Sequence, residues 1–359
     1  MVMVGAYFHC TLLNAGDLFH HMLVANRSSG SISQINLSDN SVQNFALPTA
    51  TNPSEPMYIT YSPSNEMVYV GDRANNRLVI YSPTDYTTSV GQVSVGAGIF
   101  HMWGDRYHNQ LWVNNDIDKT VSVVNMLNSS VITTFSTPAD LNALGGKPHD
   151  VFINPDDPFA YVTMLGVDGD SDWIVKYSTQ TFTEVDRVEV GNDPHVSYSP
   201  SRDMIYAPTQ GGGGVSVIDG TLFDVVDFIS VPNSHGAWLS HDESTFYTTN
   251  ISDLGVDGLV SIVPTTLSVN DSVGAPFSTP HNVITNLTDD WLYLTHSGAG
   301  NNRVSIYDVS NPASPVFLTS VTTELNPYGI ALITSVPEPG PCILLVTAIG
   351  LAAAQRRRK

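Results

Sequence analysis

Positive charge is what this chain most lacks. Its 359 residues hold 14 Lys plus Arg against 34 Asp plus Glu, a net charge of −20. Four of those cations are the last four residues, Arg356, Arg357, Arg358 and Lys359, so the preceding 355 residues carry only 10 cations, or −24. A body that acidic repels phosphate backbones and anionic headgroups, which excludes nucleic acid as a partner and polybasic docking on a membrane. Cysteine is nearly absent too. Cys10 and Cys342 stand at opposite ends, with no CxxC pair, so no disulfide framework or cysteine metal site is indicated. Sustained i, i+3, i+4, i+7 apolar spacing is missing before the C-terminus, and 27 Gly and 22 Pro punctuate the chain. Helix is thereby excluded as the main element. The run Gly211 to Gly214 lacks the Gly-Lys-Ser/Thr of a phosphate cradle, and no Gly-Xaa-Ser-Xaa-Gly elbow occurs, so no catalytic motif marks an enzyme. Core material is plentiful: 42% hydrophobic residues, with 15 Tyr and 13 Phe, exclude disorder.

The order that remains is a repeat. One β-branched element reads SISQIN, RLVIYS, TVSVVN, WIVKYS, GVSVID, LVSIVP and RVSIYD, ending at Asn36, Ser82, Asn125, Ser178, Asp219, Pro264 and Asp308. The seven copies are spaced by 46, 43, 53, 41, 45 and 44 residues. Before each lies an aromatic-led element: MLVAN, MVYVGD, QLWVNN, FAYVTM, MIYAPT, TFYTTN and WLYLTH. These are strands of four to six residues bounded by turn formers. A period near 45 residues with about four strands per unit is that of a propeller blade, which buries its faces only by stacking in a ring. The first unit begins without its innermost strand, and the last ends with a surplus strand from Asn326 to Leu332. An all-β, seven-bladed β-propeller follows, its N- and C-terminal strands sharing one blade. A segment of residues 1–19 without assigned role precedes the propeller at residues 20–334, and a short apolar helix is expected in the sorting or anchor segment at 335–359.

The units resemble the YVTN family of β-propeller repeats. Tyr161-Val162-Thr163, Tyr247-Thr248-Thr249-Asn250, Val215-Ser216-Val217-Ile218-Asp219 and Val304-Ser305-Ile306-Tyr307-Asp308 carry the likeness. It spans roughly residues 20 to 334 and implies the fold more than any activity, because propellers host enzymes, electron-transfer partners and adhesins alike.

Histidine is placed with unusual regularity. The residue after each inter-blade loop is Met57, His101, His149, His195, His235, His281 and Tyr328, so five of the 11 histidines fall in five of seven equivalent positions. That position opens the innermost strand and faces the central channel. Two readings stand. Duplication copies a histidine that bonds a neighbouring blade; alternatively, neutral imidazoles from several blades hold a transition metal, copper or zinc. A weaker cation candidate is Asp168, Asp170 and Asp172, alternate carboxylates in one loop as in calcium loops. Trp173 stands where an EF-hand has glycine and Thr179 where it has its bidentate Glu.

The tail changes character. Val336-Pro337-Glu338-Pro339 precedes an apolar run from Cys342 to Ala354, and Arg356, Arg357, Arg358 and Lys359 close the chain. Thirteen apolar residues make a helix of about 20 Å, short of the roughly 30 Å hydrocarbon core, and the basic end stays cytoplasmic. This order resembles the PEP-CTERM sorting signal of Gram-negative bacteria. The resemblance implies an exosortase as partner, transient anchoring in the inner membrane, and release to the cell surface or extracellular matrix. Met1 to Cys10 has no basic n-region, and the first cation is Arg27, so a secretory signal is expected upstream of the present start. The sequence thus favours an exported, non-enzymatic scaffold for a protein or polysaccharide partner. The alternative is a periplasmic metalloprotein or oxidoreductase using the histidine ring. A lactonase-like hydrolase rests on fold analogy alone.

Overall fold

The computed structural model describes residues 20–335, except 106, 107, 156, 170 and 253–257. Residues His21–Ile333 form one compact body. The expected apolar helix and the residues from Val336 to Pro339 and Arg356 to Lys359 lie outside the described residues. Among the described residues no helix is long and apolar enough to cross a membrane.

Seven four-stranded antiparallel sheets form the body. Six are continuous in sequence. The seventh is closed by the two ends of the body: Pro327–Thr334 lies beside His20–Asn26, followed outward by Ser31–Asn36 and Val42–Ala46. The surplus strand thus fills the place the first unit lacks. Among the described residues helix is confined to Ala139–Ala143 and a single 3-10 turn at Arg73–Asn75.

The repeated aromatic explains how blades adhere. Tyr69, Trp112, Tyr161, Tyr206, Tyr247 and Tyr293 all sit on the second strand of their blades and are at most 1% exposed. Trp112 packs with Val151, Val162 and Val175 of the next blade, and Tyr161 with Ile205, Ile218 and Phe223. Each large ring bridges two twisted sheets that would otherwise leave apolar faces wet.

The innermost strands carry a second repeated device. In five blades the pairing of first and second strands slips by one residue, between Pro56 and Ile59, Ile99 and Met102, Pro148 and Val151, Ser234 and Trp238, and Pro280 and Val283. A bulge sets two residues against one, breaks the alternation of faces and re-aims side chains. In three of these blades the N–H it frees is caught by a threonine of the second strand: Asp150 N–H donates to Thr163 Oγ1 at 2.8 Å and Asn282 N–H to Thr295 Oγ1 at 3.1 Å. Gly236 N–H likewise donates to Thr249 Oγ1 at 2.8 Å. Threonine recurs in these strands because the bulged backbone needs a local acceptor.

Candidate functional site

The bulges decide what the hub contains. In strict alternation only every second residue of an inner strand faces the channel. The blade holding His195 keeps its register from Pro194 to Ser197, and there Val196 turns away into the inter-blade core. In the bulged blades the neighbouring residue joins the hub as well. Asp150 follows His149, Asn282 follows His281, and Tyr58 follows Met57. His101 belongs to this second set: by register Phe100 holds the place that His149 and His281 hold in their blades, and His101 the place of Asp150 and Asn282.

All five predicted histidines reach the hub and are 1–5% exposed. Ring centroids lie 4.8 Å apart for His101 and His149, 5.0 Å for His101 and His195, and 4.6 Å for His149 and His195. The series continues with His195 to His235 at 4.0 Å, His235 to His281 at 4.4 Å, and His281 to Tyr328 at 4.2 Å. One nitrogen from each of His101, His149 and His195 lies within 4.8 Å of the others.

One carboxylate organises these rings. Asp150 accepts from His101 Nδ1 at 2.8 Å and lies 3.3 Å from His195 Nδ1. It also accepts the backbone N–H of Val196 at 3.0 Å and of Val151 at 2.8 Å. His149 Nδ1 faces the Pro194 carbonyl at 3.3 Å and Asp193 Oδ1 at 3.5 Å. All three Nδ1 atoms therefore meet acceptors, which puts the proton on Nδ1 and leaves the lone pair on Nε2. His195 Nε2 lies 3.1 Å from His235 Nδ1, so His235 donates there and its own buried Nε2 has no partner. His281 Nδ1 is 2.8 Å from Asn282 Nδ2.

Electrostatics keep the imidazoles neutral. Burial pushes His101 below its ordinary value against the pull of Asp150. Burial first, then neighbouring imidazoles, push His149, His235 and His281 well below. Burial opposes the charge on Asp150, yet His101 foremost and then His195 hold its carboxyl well below the usual range. Four of these rings thus offer unprotonated nitrogens at neutral pH, as metal ligands must.

The other predicted residues stay apart. Asp172 is buried and accepts Val167 N–H and Asp193 N–H, each at 2.8 Å, so its oxygens bind backbone; Asp170 lies outside the described residues. His296, in the core of the last blade, bonds Ser278 O at 3.1 Å and Ser305 Oγ at 2.8 Å. His108 pairs with Asp105, and His241 stands edge-on to Trp238 at 5.6 Å. Sequence reading missed Tyr58, Asp150 and Asn282. The available signal was a polar or aromatic residue directly after the channel position in EPMY, KPHD and TPHN.

Residues 19–222, more than half of the chain, match the family model described as Lactonase, 7-bladed beta-propeller. Among solved structures, the Pseudomonas aeruginosa periplasmic gluconolactonase PpgL is similar at a TM-score of 0.68 and 16% identity, over 89% of this chain and 100% of that one. Kuenenia stuttgartiensis hydrazine synthase is similar at 0.65 and 16% identity, over 79% and 96%. The dihydro-heme d1 dehydrogenase NirN is similar at 0.59 and 13% identity, over 87% and 74%. Likeness at such identity is a likeness of fold. No curated protein matches the chain.

Proposed function

The chain belongs to the seven-bladed β-propeller lactonase family, and from that premise we propose an exported metal-holding propeller of YVTN-type repeats. Its hub takes one transition-metal ion, copper or zinc, on His101, His149 and His195. The observation that carries the reading is their convergence with every Nδ1 facing an acceptor. Bonds of 2.0–2.1 Å to an ion set nitrogens about 3.4 Å apart in tetrahedral geometry, and one ring nitrogen of each of the three histidines, Nδ1 or Nε2, already lies within 4.8 Å of the others. Asp150 acts as the outer carboxylate that orients and strengthens two of the ligands.

Metal analysis of protein purified without chelators or added metal is the test. About one copper or zinc per chain is expected, lost in a folded His149→Ala, His195→Ala double variant; a native stoichiometry near zero sinks the reading. Hydrolysis of an aldonolactone that disappears in the same variant would make the hub catalytic rather than a holding site, the outcome the family name favours.

Export is the second half of the reading. The Pro-Glu-Pro, apolar and basic order is that of a PEP-CTERM signal, handled by an exosortase after transient anchoring in the inner membrane. The released propeller would then act at the cell surface or in the matrix, where its ring faces meet protein or polysaccharide. Mass spectrometry of the mature protein is expected to find its C-terminus near Val336 to Pro339. Recovery of the chain intact to Lys359 from the cytoplasm would remove this half.

A further inference from the structure

Tyr58, outside the histidine set, is built into the same hub. Its phenol oxygen lies 2.7 Å from His101 Nε2. Asp150 holds the proton-bearing Nδ1 of that ring at 2.8 Å, so the phenol donates to the lone pair on Nε2. Asn282 Nδ2 donates to the same oxygen at 3.0 Å. The Tyr58 ring stacks on His101 with centroids 3.8 Å apart and meets Tyr328 edge-on at 5.7 Å. Gly329 makes the space, because a Cβ there would meet Tyr58 Cα at 2.7 Å and Cδ1 at 3.1 Å. Asp150, His101, Tyr58 and Asn282 thus form one chain of hydrogen bonds that runs through both ring nitrogens of His101.

Resting on the metal-hub reading, we propose that Tyr58 is the fourth ligand, which selects an oxidised, Lewis-acidic ion such as Cu(II). Cu(II) prefers square-planar or tetragonal sites, in which bonds of about 2.0 Å to cis Nε2 and oxygen set those atoms about 2.8 Å apart, close to the 2.7 Å contact already present. The O–H bond breaks, an O–metal bond forms, and the proton leaves to solvent; no electron changes hands. Asn282 keeps its bond to the oxygen and favours the charged form. Oxygen beside three imidazoles suits Cu(II) better than Cu(I), which prefers thiolate and thioether donors.

The test adds cupric ion to the full chain at neutral pH, with visible spectra and bound copper measured after desalting. A phenolate-to-copper charge-transfer band saturating at one ion per chain is expected. It should fall at least tenfold in Tyr58→Phe and persist in Tyr328→Phe, which removes the neighbouring phenol. Copper retained by the unaltered protein without the band overturns the role of Tyr58 and leaves the three histidines standing. So does a band that survives in Tyr58→Phe. Failure to retain copper at all overturns both readings. The first spectrum needs no variant, so misfolding of Tyr58→Phe does not shield the proposal.

Discussion

Below pH 6.5 the metal-free protein is expected to lose folding stability steeply and to unfold before its carboxylates titrate. His296 sets the scale. It is fully buried, and burial lowers its pKa from 6.5 to about 4. A group with a depressed folded pKa binds fewer protons in the native state than in the unfolded chain. Its stabilisation is therefore complete above 6.5 and is lost as pH falls towards the folded value. For His296 that loss amounts to about 3 kcal/mol by pH 4. Its bonds to Ser278 O and Ser305 Oγ partly offset the penalty and do not reverse it. His101, His149, His235 and His281 are shifted in the same direction. Each that stays neutral adds a slope of about 1.4 kcal/mol per pH unit. Against a total stability of about 5–15 kcal/mol, five such groups are enough to unfold the ring. Asp150 is shifted the other way for its type, so its contribution is lost only below the ordinary carboxyl pKa of 3.8. Urea titrations at pH 7, 6, 5 and 4.5 check this. A midpoint unchanged down to pH 4.5 would mean that the hub takes up protons without strain, contradicting the burial argument. His296→Gln should flatten the slope by one group.

The blades were legible because duplication left the same strand seven times, and ring closure because the first unit lacks the strand that the last one has in surplus. The histidine hub was legible for the same reason. Alternation along a strand, however, admits one channel residue in two, and under that rule Asp150, Tyr58 and Asn282 belong to the blade interior. Five bulges defeat the rule, and a bulge is a property of pairing between two strands, which neither strand alone reveals. Its traces are the residue after the channel position and, in three blades, the threonine that catches the freed N–H, both legible only after the pairing is known. His101 shows the cost. Aligned by residue type it matches His149, whereas by register it matches Asp150, which is why it meets Asp150 head-on rather than side by side. The family, too, was only a fold analogy in the sequence, because the propeller core supplies nearly all of the recurring pattern.

Replacing Asp150 by alanine is expected to be the most damaging single change in the hub, costing about 3–5 kcal/mol, because it strands several buried donors at about 1–3 kcal/mol each. The carboxylate accepts from His101 Nδ1 and Val196 N–H and faces His195 Nδ1 at 3.3 Å. Alanine leaves these donors dry and unbonded. Ion affinity should fall about 10–100-fold as well, as when an orienting outer carboxylate is lost. Asparagine separates the two effects. Its single oxygen can serve one imidazole, while its amide presents N–H to the other. The second ring must then carry its proton on Nε2, the atom that would hold the ion. Asp150→Asn should therefore keep more of the stability than Asp150→Ala yet bind zinc nearly as weakly. Urea denaturation of the metal-free proteins and competition with a zinc chelator measure the two quantities. Asp150→Ala within about 1 kcal/mol of the parent, a typical surface-level effect, would show that Asp150 is solvated rather than shared by the two histidines. Asp150→Asn binding zinc as tightly as the parent would show that the tautomers are set by something other than this carboxylate.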